Sequence, residues 1–174
     1  MFMDPVTLLA SCNLQTTDTV ADFGAGSGFL AKAALAYVPQ GNVFAIEINR
    51  DMVTRLTREA AEANLKNFHP LWGDIEVAGG SKLADTSVDF ILLSNTLFYL
   101  EDKNGVMSEA LRVLKPGGRM LVVDWTESFG GMGPRPESVF GKDKARALLE
   151  RHGLTILTDT LPAGEHHYAI LCQK

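Results

Sequence analysis

Val20 to Leu30 reads V-A-D-F-G-A-G-S-G-F-L: an apolar strand ending in the acid Asp22, then glycines at 24, 26 and 28, then a run that turns helical. A strand, a loop and a helix in this order place a ligand at the loop. Glycines without a Cβ take positive φ and let backbone N–H groups approach a carboxylate or phosphate. The spacing weighs against a pyrophosphate. A dinucleotide fingerprint, G-x-G-x-x-G, needs glycine at 24, 26 and 29, and position 29 is Phe29.

Downstream segments extend the pattern. Asn42 to Ile46 reads as a second short strand, and it ends in Glu47, where a carboxylate can accept both hydroxyls of a ribose. Phe68 to Trp72 is a third strand, which Pro70 confines to a sheet edge because it removes a ladder donor. Gly73-Asp74-Ile75 follows it. Val88 to Leu93 is nearly all apolar, as expected of a central parallel strand, and Ser94-Asn95-Thr96 follows at its carboxyl end, the end that faces ligands in open α/β sheets. Val106 to Leu114 carries a helical apolar stripe that stops at Lys115-Pro116-Gly117-Gly118, before a strand from Arg119 to Asp124. The chain closes with a helix over Lys142 to His152, a strand over Leu154 to Thr158, a reversal at Pro162-Ala163-Gly164 and a strand from about His166 to Cys172. Those last two strands must run antiparallel.

The acid-x-Gly-x-Gly-x-Gly spacing from Asp22, the Leu-Lys-Pro-Gly-Gly phrase before an apolar strand, and the antiparallel end together resemble class I S-adenosylmethionine-dependent methyltransferases, from about Thr19 to Gln173. The resemblance implies an α/β, Rossmann-like three-layer sandwich. Its mostly parallel seven-stranded sheet would have the order 3-2-1-4-5-7-6 and an antiparallel last strand. It implies S-adenosyl-L-methionine as cofactor, S-adenosyl-L-homocysteine as product, and in-line methyl transfer to an acceptor. By the same resemblance Asp22, Gly24, Ala25, Gly26 and Gly28 cradle the methionine end, Glu47 holds the ribose and Ile48 flanks the adenine. Asp74 accepts from the adenine amine, Ile75 presents its N–H to the ring, and Ser94 and Asn95 close the cofactor site. One departure narrows the acceptor. Relatives that methylate amides or exocyclic amines carry Asn-Pro-Pro-Tyr or Asp-Pro-Pro-Tyr where this chain has Ser94-Asn95-Thr96-Leu97.

Composition sets the remaining expectations. The chain of 174 residues suits one domain, 1–174, with a short amino-terminal cap segment, 1–18, and a glycine- and proline-rich stretch, 125–141, as a substrate lid. Net charge is −5 with no basic cluster, and Arg55–Glu59 and Arg58–Glu62 sit at helical i,i+4 spacing, so nucleic acid is a poor substrate. No apolar run reaches a membrane span and no leader pattern is present, so a cytoplasmic protein with no membrane contact is expected. Cys12 and Cys172 match no metal spacing, and no metal is expected; arsenic-methylating relatives use more thiols than these two. A small-molecule acceptor is the first reading. The short cap keeps open a homodimer that closes the site, a protein methyltransferase with an open site, and a non-catalytic binder of adenosylmethionine. No catalytic residue is assigned. An acceptor that loses a proton needs a base, and His166, His167 and Tyr99 are the rim groups able to serve.

Overall fold

The computed structural model describes residues 3–131 and 133–174. One sheet organises the chain. Its strands are β1 (Thr19–Phe23), β2 (Asn42–Glu47), β3 (Phe68–Trp72), β4 (Val88–Ser94), β5 (Leu114–Trp125), β6 (Thr155–Thr158) and β7 (His167–Gln173). They lie in the order β3-β2-β1-β4-β5-β7-β6. The pairs from β3 through β5 are parallel, and β7 runs antiparallel to both β5 and β6, as the sequence implies. Pro70 does sit on an edge strand, since β3 pairs with β2 alone.

Alternation along the strands gives the sheet two apolar faces, each covered by helices. Phe23, Ile91 and Val122 face α4 (Lys103–Val113) and α5 (Lys142–Arg151). Val20, Leu92 and Val123 face α1 (Pro5–Ala10), α2 (Phe29–Ala34) and α3 (Arg50–Glu62). Phe23, Phe90 and Leu92 are fully buried, and each such side chain contributes about 1.5–3 kcal/mol on removal from water. Among the described residues of the amino-terminal cap segment the one regular element is α1, capped by the Asp4 carboxylate on the amides of Val6 and Thr7.

Two boundaries differ from the sequence expectation. Lys115 to Gly118 is a bulge inside β5 rather than a turn ahead of it. Val88 pairs with Leu114 and Phe90 with Arg119, so the intervening residues stand out of the ladder, with Gly117 at φ +76°. Between β6 and β7 the chain takes a longer path, 159–166, than a tight reversal at Pro162 to Gly164.

Buried charge ties the segment after β3 to α4. The Glu109 carboxylate accepts from the amides of Gly79 and Ser81, the Ser81 hydroxyl and the Arg112 guanidinium. Burial alone would raise its pKa, but Arg112 and these donors outweigh that and hold it at about 2. The segment that carries Asp74 is therefore anchored from behind.

Candidate functional site

At the carboxyl ends of β1, β2 and β4 the structure opens a crevice with two lobes. One, of about 320 Å³ including its open mouth, is lined by Glu47, Ile48, Gly73, Asp74, Ile75 and Glu76, with Tyr99 and Leu100 opposite. The other, of 690 Å³ and continuous with solvent, is lined by Asp22, Gly24, Ala25, Gly26, Ser27, Phe29 and Leu30 on one side and by Ser94, Asn95 and Tyr99 on the other. Gly24 and Tyr99 border both lobes. A Cβ at Gly24 would lie 2.9 Å from Thr96 Cγ2 and 3.3 Å from the Tyr99 hydroxyl, so glycine here lets the two walls meet.

Each lobe collects residues that the sequence singled out. Ten of the eleven expected cofactor residues line the crevice; Gly28 lines neither lobe. It adopts φ +73° at the N-cap of α2, where a Cβ would strike Leu56 Cδ2 at 2.8 Å, so it serves the packing of α2 on α3. The glycine loop also differs from a set of free amides. Gly24 and Ala25 donate to the Ile46 carbonyl, Gly28 to the Ala25 carbonyl, and Gly26 to Glu47 Oε2 at 2.8 Å. Gly26 adopts φ +52° with nothing within 4 Å of the place of a Cβ, and so presents bare backbone to the open lobe.

Glu47 couples the lobes. Its carboxylate is 8% exposed and accepts from the Gly26 amide through one oxygen and the Asn49 amide through the other. Each oxygen keeps a second lone pair, so the group can still take two hydroxyl donors. Asp22 is buried under α2 and accepts from the Ala31 amide at 3.2 Å. Burial, reinforced by the charge of Glu47 and opposed by the Ala31 N–H, pushes its carboxyl up to about 7. Asp124, at the end of β5, accepts from the Leu97 and Trp125 amides and fixes the chain that leaves β4. Burial raises it to about 6 against those donors.

Three site features had little signal in the sequence. Glu76 lines the first lobe, and its carboxylate accepts the Asp102 amide. The lip at Ile48 is pinned by Trp72, whose indole N–H donates to the Ile48 carbonyl at 2.9 Å and whose ring carries the Arg50 guanidinium at 4.0 Å. Asn95 sits at φ +53°, with its side-chain oxygen buried and without a hydrogen-bond partner. Within the expected lid, Phe140 packs against the core and Phe129 stacks on the His166 ring at 3.8 Å. Met132 lies outside the described residues.

The lining has one electrostatic character. Asp22, Glu47, Asp74 and Glu76 border the lobes and no Lys or Arg does. Such a crevice suits a ligand carrying positive charge and opposes a dianionic pyrophosphate.

The family model described as a methyltransferase domain matches residues 14–152, and the chain belongs to that family. A SAM dependent methyltransferase from Aquifex aeolicus superposes with a TM-score of 0.89 at 26% identity, over 99% of this chain and 90% of that one. An arsenite methyltransferase of Halobacterium salinarum is 28% identical over 123 residues, covering 70% of this chain and 30% of that protein. The chain spans about half or less of the length of the first curated relatives it matches. The [4+2]-cyclase SpnF shares the fold, with a TM-score of 0.76 at 17% identity over 97% of this chain and 79% of that one.

Proposed function

We propose that this protein binds S-adenosyl-L-methionine in the two-lobed crevice and directs its methyl group to a small-molecule acceptor by in-line displacement. The observation that carries the reading is the acidic, cation-free lining of the crevice on the methyltransferase topology. When bound, the cofactor supplies a methyl group on a positively charged sulfur. Glu47 accepts the ribose hydroxyls, Asp74 and Ile75 meet the adenine, and Ile48 covers its edge. Asp22 and the Asn95 oxygen face the ammonium end, which gives the orphaned oxygen a donor. Gly26 leaves room for the methionine backbone. Alignment and exclusion of water supply most of the acceleration of such a displacement.

Residues 125–141 act in this reading as the cover of the acceptor. Shortening the segment between Ser128 and Glu137 should spare cofactor affinity and lower turnover, which parallel binding and methyl-transfer assays separate; full turnover in the shortened protein would assign the cover elsewhere. Arsenite fits the chain poorly as an acceptor. Burial pushes the Cys12 thiol up to about 11 and that of Cys172 up to about 12, leaving neither as a thiolate at neutral pH. A second reading, a protein side chain entering an open site, is favoured by the exposed Phe29, Ile48 and Tyr99 at the mouth.

Calorimetric titration with adenosylmethionine, adenosylhomocysteine and NAD tests the cofactor, and a methyl-transfer screen over metabolite and peptide pools tests the chemistry. The first two ligands should bind and NAD should not. Preference for NAD, or binding of none, would overturn the reading.

A further inference from the structure

Among the described residues, three buried side-chain atoms lack a hydrogen-bond partner: Asn95 Oδ1 and both ring nitrogens of His167. Asn95 borders the cofactor crevice, and the reading above gives it a donor. His167 belongs to no part of that site. The residue is only 8% exposed, and a neutral imidazole offers one donor and one acceptor, so the fold leaves two strong groups unmatched.

Its position relates it to the reaction. His167 opens β7 directly opposite Trp125, the last residue of β5, and the two rings lie 4.2 Å apart at 41°. Strand alternation from Val123 and Ala169 puts both on the α2 face of the sheet, the face of Asp22 and Ser94. Ser94 pairs with Val123, so Trp125 stands two residues further toward the mouth. His167 lies one more strand away, about 10 Å from the β4 tip at the usual strand spacing. Gly133, in the segment expected to be the lid, rests on Trp125: a Cβ there would fall 2.7 Å from the indole ring.

We propose that Trp125 and His167 form the recognition subsite for the methyl acceptor, and that it takes an uncharged planar molecule bearing a hydroxyl or carbonyl group. The inference rests on the methyl-transfer reading for the word acceptor. Once residues 125–141 lift Gly133 from it, the indole supplies a flat apolar floor, and the imidazole supplies one hydrogen bond of either sense to a group remote from the atom that is methylated. The ring stays neutral there. Burial, with His166 adding to it, lowers its affinity for a proton. Two neighbouring carboxylates are engaged elsewhere: Asp124 with the Leu97 and Trp125 amides on the opposite face, and Glu127 with His166 at 2.9 Å. A neutral ring without a counter-charge discriminates against carboxylates and phosphates.

Two probes that differ in charge test this, 4-hydroxybenzamide and 4-hydroxybenzoate, titrated into the full chain in the presence and absence of adenosylhomocysteine. Chemical shifts of the His167 and Trp125 rings give the readout. The amide should move both rings and bind at least tenfold more tightly than the carboxylate. His167→Leu should abolish that binding without lowering Tm, since it removes two unmatched polar atoms, while His167→Gln should restore part of it. Binding of the two probes with equal strength, no ring shift with the amide, or unchanged amide binding in His167→Leu would each overturn the proposal. If the Leu variant fails to fold, the probe pair on the parent protein and the Gln variant decide it. Calorimetry with adenosylhomocysteine on the same samples separates the readings: amide binding without adenosylhomocysteine binding removes methyl transfer and leaves the subsite.

Discussion

The two ends of the sheet differ in how they treat polar groups. At the end where the parallel strands begin, charges are matched. Lys115 Nζ lies 2.8 Å from both Asp89 oxygens, Asp89 also accepts the Thr19 amide, and Arg119 donates to the Cys12 and Asn13 carbonyls near Asp18. At the end where those strands finish, Asn95 and His167 hold unmatched polar atoms, two carboxyls are raised, and the crevice has four acids without a cation. One end is satisfied by the fold itself. The other leaves polar groups unmatched, as expected of a surface shaped for a ligand rather than for stability.

If this contrast is correct, substitutions at the finishing end should change binding far more than folding. The largest effect is expected at Gly26. Gly26→Val places a β-branched side chain at φ +52° and projects it into the open lobe, so adenosylmethionine affinity should fall at least a hundredfold while circular dichroism still reports a folded chain. Normal binding by this variant would mean that the loop is not the cradle. Glu47→Ala should come next. Loss of a charged acceptor for two hydroxyls corresponds to about 1.5–3 kcal/mol, or roughly ten- to hundredfold in the calorimetric Kd. Because Glu47 also holds the Gly26 and Asn49 amides, Glu47→Gln, which keeps one acceptor, should retain part of the affinity.

The same contrast explains what was legible in the sequence. Strand order and the edge position of β3 could be inferred because apolar periodicity, Pro70 and the glycine spacing are local signals, and the family resemblance orders them. The crevice residues at strand ends were legible for the same reason: a residue next to a strand end has little freedom in where it goes. Gly28 is indistinguishable from Gly24 and Gly26 in the sequence, and only the approach of Leu56 from α3 reveals that packing also requires glycine there. Internal use of the loop amides, the Glu76 contact and the Trp72 clamp all depend on partners distant in sequence. The segment Lys115 to Gly118 has the sequence of a turn as much as of a bulge, because Pro-Gly-Gly breaks a ladder in either setting.

Protonation gives a smaller and graded effect. Asp22 at about 7 and Asp124 at about 6 both lie above the ordinary carboxyl range near 4, so the folded state holds protons that the unfolded chain releases. The stability they contribute is complete below about pH 4 and is lost as pH rises through 6 and then 7. Cofactor affinity should move the opposite way. A cation beside Asp22 favours its ionised form, so adenosylmethionine affinity should rise up to about tenfold per pH unit below 7 and level off above, with proton release on binding. Asp22→Asn keeps an acceptor for the Ala31 amide, so it should flatten both profiles and raise Tm at pH 8. Titrations from pH 5.5 to 8.5 in buffers of differing ionisation enthalpy give the proton count. A flat affinity profile in the parent protein would remove Asp22 from the cation's neighbourhood.

The smallest effect is expected at the satisfied end, and it is the control that the comparison needs. In Lys115→Met the ammonium is lost, but Asp89 keeps the Thr19 amide and its own access to water, since the two side chains of this pair are 42% and 28% exposed. A partly exposed ion pair of this kind contributes about 0.2–1 kcal/mol, and salt screens it. For a chain of this size that corresponds to a loss of at most about 2–4 °C in Tm, shrinking further in 1 M NaCl. Adenosylmethionine affinity should stay within twofold of the parent value, because Lys115 sits in the β5 bulge, a full strand length from the crevice. A large fall in affinity from this substitution would show that the two ends are coupled through β4 and β5. In that case the matched charges at the strand starts would help set the geometry of Ser94 and Asn95 at the strand ends, and the division between a folding end and a binding end would no longer hold.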